Sequence, residues 1–318
     1  MGDDMPRSPF LPGTKIQYAI DSTSLGLLKE CPKKYYYTII CGWQPKDESI
    51  HLRFGQEYHS AVQDYEVLRA QGLSFEEASA ETMRQLLLRI TTWDPDPTAK
   101  AYANKNKDQL LHLVVCYLDE FGRNDPCKTH ILENGKPAVE LSFRFEIDIA
   151  PNASRDQPYL LCGHLDRVVD FGGDLFVLDH KTTALTPSDY YFAQWSPNNQ
   201  MTLYSFAGKV VMDSPVKGVI VEAAHVTIDK PMTFLRRPTY RSDEIIDEWL
   251  EDLEYHLNAA EAFAEAGNWP RNDTACGNYG GCRFREVCSR SPQVRESYLK
   301  ADFVQLPEAE RWNPLRAR

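Results

Sequence analysis

The chain has 318 residues, 42% hydrophobic and 25% charged, and its 35 Lys and Arg against 46 Asp and Glu leave a formal net charge of −11. That length can bury a full core, and no apolar run approaches the ~20 residues a bilayer-spanning helix needs. The acid excess argues against a protein that holds duplex DNA by bulk electrostatics, and the polar, Pro-bearing start from Met1 to Pro12 lacks the apolar core of a signal peptide, so a cytoplasmic protein without membrane contact is expected.

In chain order, residues 1–20 read as a loose segment and Asp21-Ser-Thr-Ser24 as a helix start leading into Leu25, Leu27 and Leu28, ending near Cys31-Pro32. A second helix is expected from about His51 to Gln71, and a third from Ser74, placed as an N-cap before Phe75-Glu76-Glu77. A fourth is expected over Ala101–Phe121, where Leu110, Leu111, Val114, Val115 and Leu118 recur at helical spacing. The period then becomes two: Val139, Leu141, Phe143, Phe145 and Ile147 share one face of a strand over Ala138–Ile149. Strands over Tyr159–Phe171 and Leu175–His180 follow, joined by the tight-turn sequence Gly172-Gly173-Asp174. Next come a helix near Asn198–Val211, strands near Val219–Ile228 and Met232–Arg237, and a long helix from Asp243 to Ala266 whose apolar face includes Ile246, Trp249, Leu253, Leu257 and Ala260. The chain thus reads as an α/β core inside helical flanks. The expected organisation is a helical region over 21–135, a core over 136–240 and a C-terminal part over 241–318, with 21–290 one integrated domain.

Eight cysteines are present, and Cys276, Cys282 and Cys288 fall close together around the glycine-rich spacer Gly277-Asn-Tyr-Gly280-Gly281. In a cytosolic chain this grouping favours metal or cluster ligation over disulfides; Cys41, Cys116, Cys127 and Cys162 read as inert buried thiols. Basic residues group at Lys29, Lys33 and Lys34, at Arg236 and Arg237, and at Arg283, Arg285 and Arg290, although most such groups are solvated faces.

The chemistry concentrates in Gly163-His164-Leu165-Asp166-Arg167 and Leu178-Asp179-His180-Lys181-Thr182. On a strand Asp179 and Lys181 point to one face, and hairpin pairing can set Asp166 beside Asp179. Two carboxylates and an ammonium then share a small volume, which suits magnesium with open positions for phosphate. Asp-x-Lys alone has almost no specificity; its place at the end of an apolar strand, with Asp166 upstream, is what gives it weight. Acidic ligands count against the net charge, so −11 does not exclude a nuclease.

These two stretches resemble motifs II and III of the PD-(D/E)XK nucleases, in their RecB-like branch. Phe54-Gly55-Gln-Glu-Tyr-His59 resembles that branch's Gly-x-x-x-His helix, and Gln200-Met-Thr-Leu-Tyr204 its Gln-x-x-x-Tyr helix. The resemblance covers about Asp21 to Ser289. It implies a restriction-endonuclease-like fold, a mixed central sheet flanked by helices. By position it makes His59, Asp166, Asp179 and the backbone carbonyl of His180 ligands of Mg2+ or Mn2+, and Lys181 the catalytic lysine. Gln200 and Tyr204 would support Lys181 and the DNA phosphate, with Glu140 in a supporting place and His164 structural. Gly55, one turn before His59, is expected to let another backbone approach closely. Cys31, in Cys-Pro-Lys-Lys-Tyr-Tyr, resembles the distant N-terminal cysteine that completes a four-iron four-sulfur cluster with Cys276, Cys282 and Cys288, tying the N- and C-terminal parts together. The family's usual spacing is shorter between the second and third cysteines, and zinc is the rival occupant. Relatives of this kind include CRISPR-associated iron–sulfur exonucleases and phage exonucleases, so a prokaryotic or phage-infected cell is implied.

The implied activity is hydrolysis of phosphodiester bonds in single-stranded or end-bearing DNA, in replication, recombination or repair. No phosphate loop of a helicase is present, so unwinding would fall to a helicase or recombination partner. Two other readings stay open: a catalytically silent DNA- or protein-binding subunit of a recombination or CRISPR-adaptation complex, and a zinc-stapled protein-interaction domain.

Overall fold

The computed structural model describes residues 8–148, 157–212, 214–228 and 230–316. In chain order its elements are β1 (Ala19–Ile20), α1 (Ser22–Glu30), α2 (Pro32–Tyr35), β2 (Trp43–Pro45), α3 (Ile50–Ala70), α4 (Phe75–Ile90), α5 (Lys107–Phe121) and β3 (Lys128–Thr129). They continue with β4 (Val139–Ile147), β5 (Tyr159–Phe171), β6 (Asp174–Thr183), α6 (Asp189–Ala193), α7 (Asn199–Val211), β7 (Val216–His225), β8 (Thr233–Thr239) and α8 (Asp243–Glu265). Beyond α8 come α9 (Arg285–Ser289), α10 (Arg295–Asp302) and β9 (Phe303–Gln305). The fold is mixed α/β, with a central mixed sheet flanked by helices. Among the described residues no helix is long and apolar enough to cross a membrane.

The chain divides into two compact units, one of residues 48–141 and 164–242 and the other of 1–47, 142–163 and 243–318. In the first, β6 lies antiparallel to β5 and parallel to β7, and β8 returns antiparallel to β7. Helices α3, α4 and α5 bring Phe54, Tyr58, Tyr65, Leu86, Leu110, Leu113 and Tyr117 into one core that also takes Ala224 of β7 and Val226 just beyond it. Removing such apolar surface from water stabilises the unit by roughly 25 cal/mol per Å².

Several boundaries differ from the expected ones for identifiable reasons. The fourth helix begins at Lys107 rather than Ala101, because the Asn106 side chain accepts the Gln109 N–H and acts as an N-cap. Strand β6 runs on past His180 to Thr183, since Lys181, Thr182 and Thr183 pair with Ala223, Ala224 and His225 of β7. That pairing opens at Leu175 and Val216, which also starts β7 earlier than its apolar run suggests.

In the second unit Asp21 caps α1 through a reciprocal bond with Ser24, and its Oδ2 accepts the Trp312 indole N–H at 2.9 Å. The short strands β2 and β9 pair antiparallel, Trp43 opposite Gln305. Tyr37, Trp43, Phe284, Val287, Leu299 and Phe303 form a small core, against which Cys41, Cys282 and Cys288 pack.

Candidate active site

The hairpin of β5 and β6 sets the geometry. Arg167 faces Leu178 across it, so the register carried one residue further puts Asp166 opposite Asp179. Asp179 has no solvent exposure, and its two oxygens lie 2.8 and 2.7 Å from Lys181 Nζ. The alternation of a strand produces this pair, since residues two apart share a face. Asp166 accepts the His180 backbone N–H at 3.4 Å and meets His59 Nδ1, delivered by α3, at 3.2 Å. Each carboxylate is therefore paired with a different nitrogen base.

Their electrostatics diverge accordingly. Burial opposes the charged Asp166, but the His59 ring, then Lys181 and His180, outweigh it and hold the carboxyl well below the usual range. Complete burial dominates at Asp179 and pushes its carboxyl up, with Lys181 offsetting part and the Asp166 charge adding to the rise.

Helix α7 brings Gln200 and Tyr204 together: the Gln200 side-chain amide donates to the Tyr204 hydroxyl at 3.1 Å. The Tyr204 hydroxyl is pushed far up, by burial first and then by the nearby Asp166 and Asp179 charges, so it stays protonated beside the acid pair. Glu140, His59, Asp166 and His180 line a cavity of about 10 Å³, a volume that suits a single water or ion. Glu140 stands there at the N-terminal end of β4 with φ +48°, a conformation non-glycine residues seldom adopt. Donor chemistry fits a hard divalent ion, with carboxylate oxygens and an imidazole. As the side chains stand, no three His, Cys, Asp or Glu among the described residues are gathered as a metal-ion group.

Beneath the acid pair lies a network that sequence reading missed. His180 Nδ1 bonds to Glu222 Oε1 at 2.7 Å, and Glu222, with no exposure, also takes the Tyr58 hydroxyl at 3.3 Å and Arg236 Nε at 2.7 Å. Arg236 continues to Asp125, which meets Arg167 Nη1 at 3.1 Å, and Arg167 reaches Glu66 at 3.1 Å. Burial opposes the Glu222 charge, yet His180 and Arg236 bring its carboxyl down to about 2. Arg236 is thus an interior residue rather than part of a solvated basic face; its neighbour Arg237 is exposed. A single Glu inside the apolar run of β7, Val219-Ile-Val-Glu222-Ala-Ala, was the available signal for a buried charge that needs partners.

The glycines of the motifs also separate. A Cβ at Gly55 would meet only the Thr182 hydroxyl, at 3.9 Å, so no backbone approaches there and the expected reason for that glycine does not hold. A Cβ at Gly163 would stand 2.6 Å from the ring of Phe143, a 94%-buried residue, which gives that glycine a packing reason. We expect Gly55→Ala to leave stability unchanged or raise it by about 0.5–1 kcal/mol through helix propensity. Gly163→Ala should cost about 1–3 kcal/mol by overpacking; urea titration of both variants checks the contrast.

In the other unit, Cys31, Cys276, Cys282 and Cys288 all line one cavity of about 500 Å³, together with Lys34, Arg271, Asn272 and Arg285. All four are free thiols, and the Asn272 backbone N–H points at Cys31 Sγ, 3.4 Å away. Sequence spacing put three of these residues together; Cys31, in the N-terminal part of the chain, joins them through the backbone bond from Lys33 N to Pro270 O at 2.9 Å.

The acid pair and lysine thus sit on the sheet hairpin of a mixed α/β fold. Residues 22–289 match the model of the PD-(D/E)XK nuclease superfamily, and the chain belongs to that superfamily. The chain is similar to a "putative exonuclease" from Eubacterium rectale, at 12% identity and a TM-score of 0.47, with 82% of this chain and 88% of that chain covered. It is also similar to SSO0001, at 12% identity and a TM-score of 0.34, with 86% and 88% covered. No curated protein matches the chain.

Proposed function

We propose that the protein is a Mg2+- or Mn2+-dependent deoxyribonuclease of the RecB-like kind, acting as an exonuclease on single-stranded or end-bearing DNA. The observation that carries this reading is the fully buried Asp179 held by Lys181, with Asp166 and His59 alongside. Asp166, Asp179, His59 and the His180 carbonyl would hold the ion, which supplies Lewis-acid stabilisation of phosphate charge and a more acidic water. Lys181 keeps its ammonium at the mouth of this group, with a fifth of its side chain exposed, where it can orient the attacking water and neutralise charge on the phosphorane. Tyr204, protonated and steadied by Gln200, offers a hydroxyl to a phosphate oxygen in line with the acid pair. The buried Glu222–Arg236–Asp125 network fixes the His180 ring and with it the strand that bears Asp179. Glu140 completes the wall opposite as a supporting residue. The test is digestion of linear single strands and duplexes, each end blocked in turn, with Mg2+, Mn2+ or EDTA. Ion-dependent loss of unblocked strands is expected; no digestion under any of these conditions would remove the reading.

The same reading gives the four thiols a four-iron four-sulfur cluster rather than zinc. What supports it is size: four cysteines spread around about 500 Å³ leave room for a multi-atom group, whereas one tetrahedral ion needs thiolates drawn to ~2.3 Å. Cys282→Ser should lose the brown absorbance and iron content and lower the melting temperature together. A variant that stays brown and equally stable would show the ligand set to be wrong.

A further inference from the structure

Beside Lys181 lies a second pocket, of about 300 Å³, that hydrolysis itself does not use. Phe192 and Trp195, from α6 and the turn after it, form part of its wall, with Arg237 and Thr239 from β8 and Tyr240 just beyond. Val221 of β7, 1% exposed, closes the pocket from the sheet. Lys181 Nζ lies 5.5 Å from the centroid of the Trp195 ring, so pocket and acid pair share a boundary.

The pocket is built rather than incidental. Arg241, 5% exposed, donates Nη2 to the Trp195 carbonyl and Nη1 to the Tyr240 carbonyl and Thr239 hydroxyl, all at 2.7 Å. Its Nε donates to Thr202 of α7 at 2.9 Å. One buried guanidinium therefore pins the turn that carries Trp195 to the strand end that carries Tyr240. Above them Arg237, exposed, holds its guanidinium 5.8 Å from the Phe192 ring centroid.

Aromatic rings among polar groups, with a cation at the rim and the acid pair one lysine away, match a ligand that has both a π-face and a phosphate. We infer that this pocket takes an unpaired nucleobase of the DNA strand whose phosphate lies at Lys181, with the base stacked on Trp195 and Phe192 and Arg237 on the neighbouring phosphate. The inference rests on the proposed nuclease reading and narrows it. A base in a duplex is already stacked and paired and cannot enter, so the productive substrate is a single strand or a frayed end. Aromatic rings serve this purpose without sequence preference, because every base offers a π-face. A cationic guanidinium beside an aromatic ring adds to the attraction for a base and fixes the phosphate next to it.

The experiment measures binding to the full chain in EDTA, where no digestion occurs, by anisotropy of three labelled probes of equal length. These are a thymidine strand, an abasic strand with the same phosphates, and a blunt duplex. The thymidine strand should bind at least about fivefold tighter than the abasic strand, and Trp195→Leu should weaken thymidine binding by roughly 5- to 100-fold, the range base–aromatic stacking supplies. Abasic binding should change by less than about twofold, since its contacts are ionic. Phe192→Leu should move the same way, which keeps the test decisive if the tryptophan variant folds poorly; Arg237→Gln should weaken thymidine and abasic strands alike. Equal binding of thymidine and abasic strands by the parent protein, or equal losses for both in Trp195→Leu and Phe192→Leu, would overturn the base pocket. Failure of the nuclease reading looks different: no Mg2+- or Mn2+-dependent digestion, with the thymidine preference intact.

Discussion

Lys181→Ala is expected to lower Mg2+- or Mn2+-dependent digestion by two to three orders of magnitude, the loss that follows removal of a single donor aimed at developing charge. The lysine is bound at 2.8 and 2.7 Å to a carboxylate with no exposure, yet keeps a fifth of its own side chain open to solvent. Its Nζ is therefore held in place by Asp179 while remaining available to a substrate. Asp179→Asn provides the partner test: it keeps the shape of the side chain, removes the charge that would hold the ion, and should fall to the same low level. Because both residues act on one step, the double variant should be no worse than either single variant. Single-turnover digestion of an end-labelled strand reads the rate, and far-UV circular dichroism reads the fold. Full activity in both single variants would end the assignment.

The second large effect concerns stability. Arg236→Met should destabilise the protein by about 3–5 kcal/mol in urea titration, because it strips a largely buried guanidinium from two buried carboxylates. Glu222, with no exposure, would keep His180 and Tyr58, while Asp125 would keep Arg167. Glu222 would be left without a guanidinium, and Asp125 would share Arg167 with Glu66. Adding Glu222→Gln to Arg236→Met should recover part of the loss, since an uncharged amide costs less to bury than an unpaired carboxylate. A loss below about 1 kcal/mol for the single variant would mean that water reaches the pair and that the network is no more than a surface one.

The hairpin shows how much could be read from the residues. Alternation put Asp179 and Lys181 on one face, and the Gly172-Gly173-Asp174 turn fixed the register that sets Asp166 opposite Asp179; both are local rules acting over a few residues. Strand β5 and helices α3, α4, α7 and α8 were legible for the same reason, through period and caps. What escaped depended on partners far along the chain. Nothing local says that Arg236 enters the interior; that is decided by Glu222 across one strand pair and by Asp125, more than a hundred residues upstream. The start of α5 was misplaced because residues 101–106 carry helical composition while Asn106 closes the helix by a side-chain bond. The pocket beside Trp195 was invisible because its walls come from α6, the turn after it and the end of β8, joined by Arg241.

The sealing of Arg167 and Arg236 has a consequence for how the protein meets a polyanion. Guanidinium groups already matched by Glu66, Asp125 and Glu222 displace no condensed cations from a nucleic acid. With a net charge of −11, Lys181 likewise held by Asp179, and Arg237 the exposed cation of this site, only a small number of phosphates should be neutralised there. Each neutralised phosphate of a single strand contributes a slope of about −0.7 to log K against log salt. Association should therefore depend only weakly on ionic strength, and affinity would survive in concentrated salt where a basic-grooved nuclease lets go.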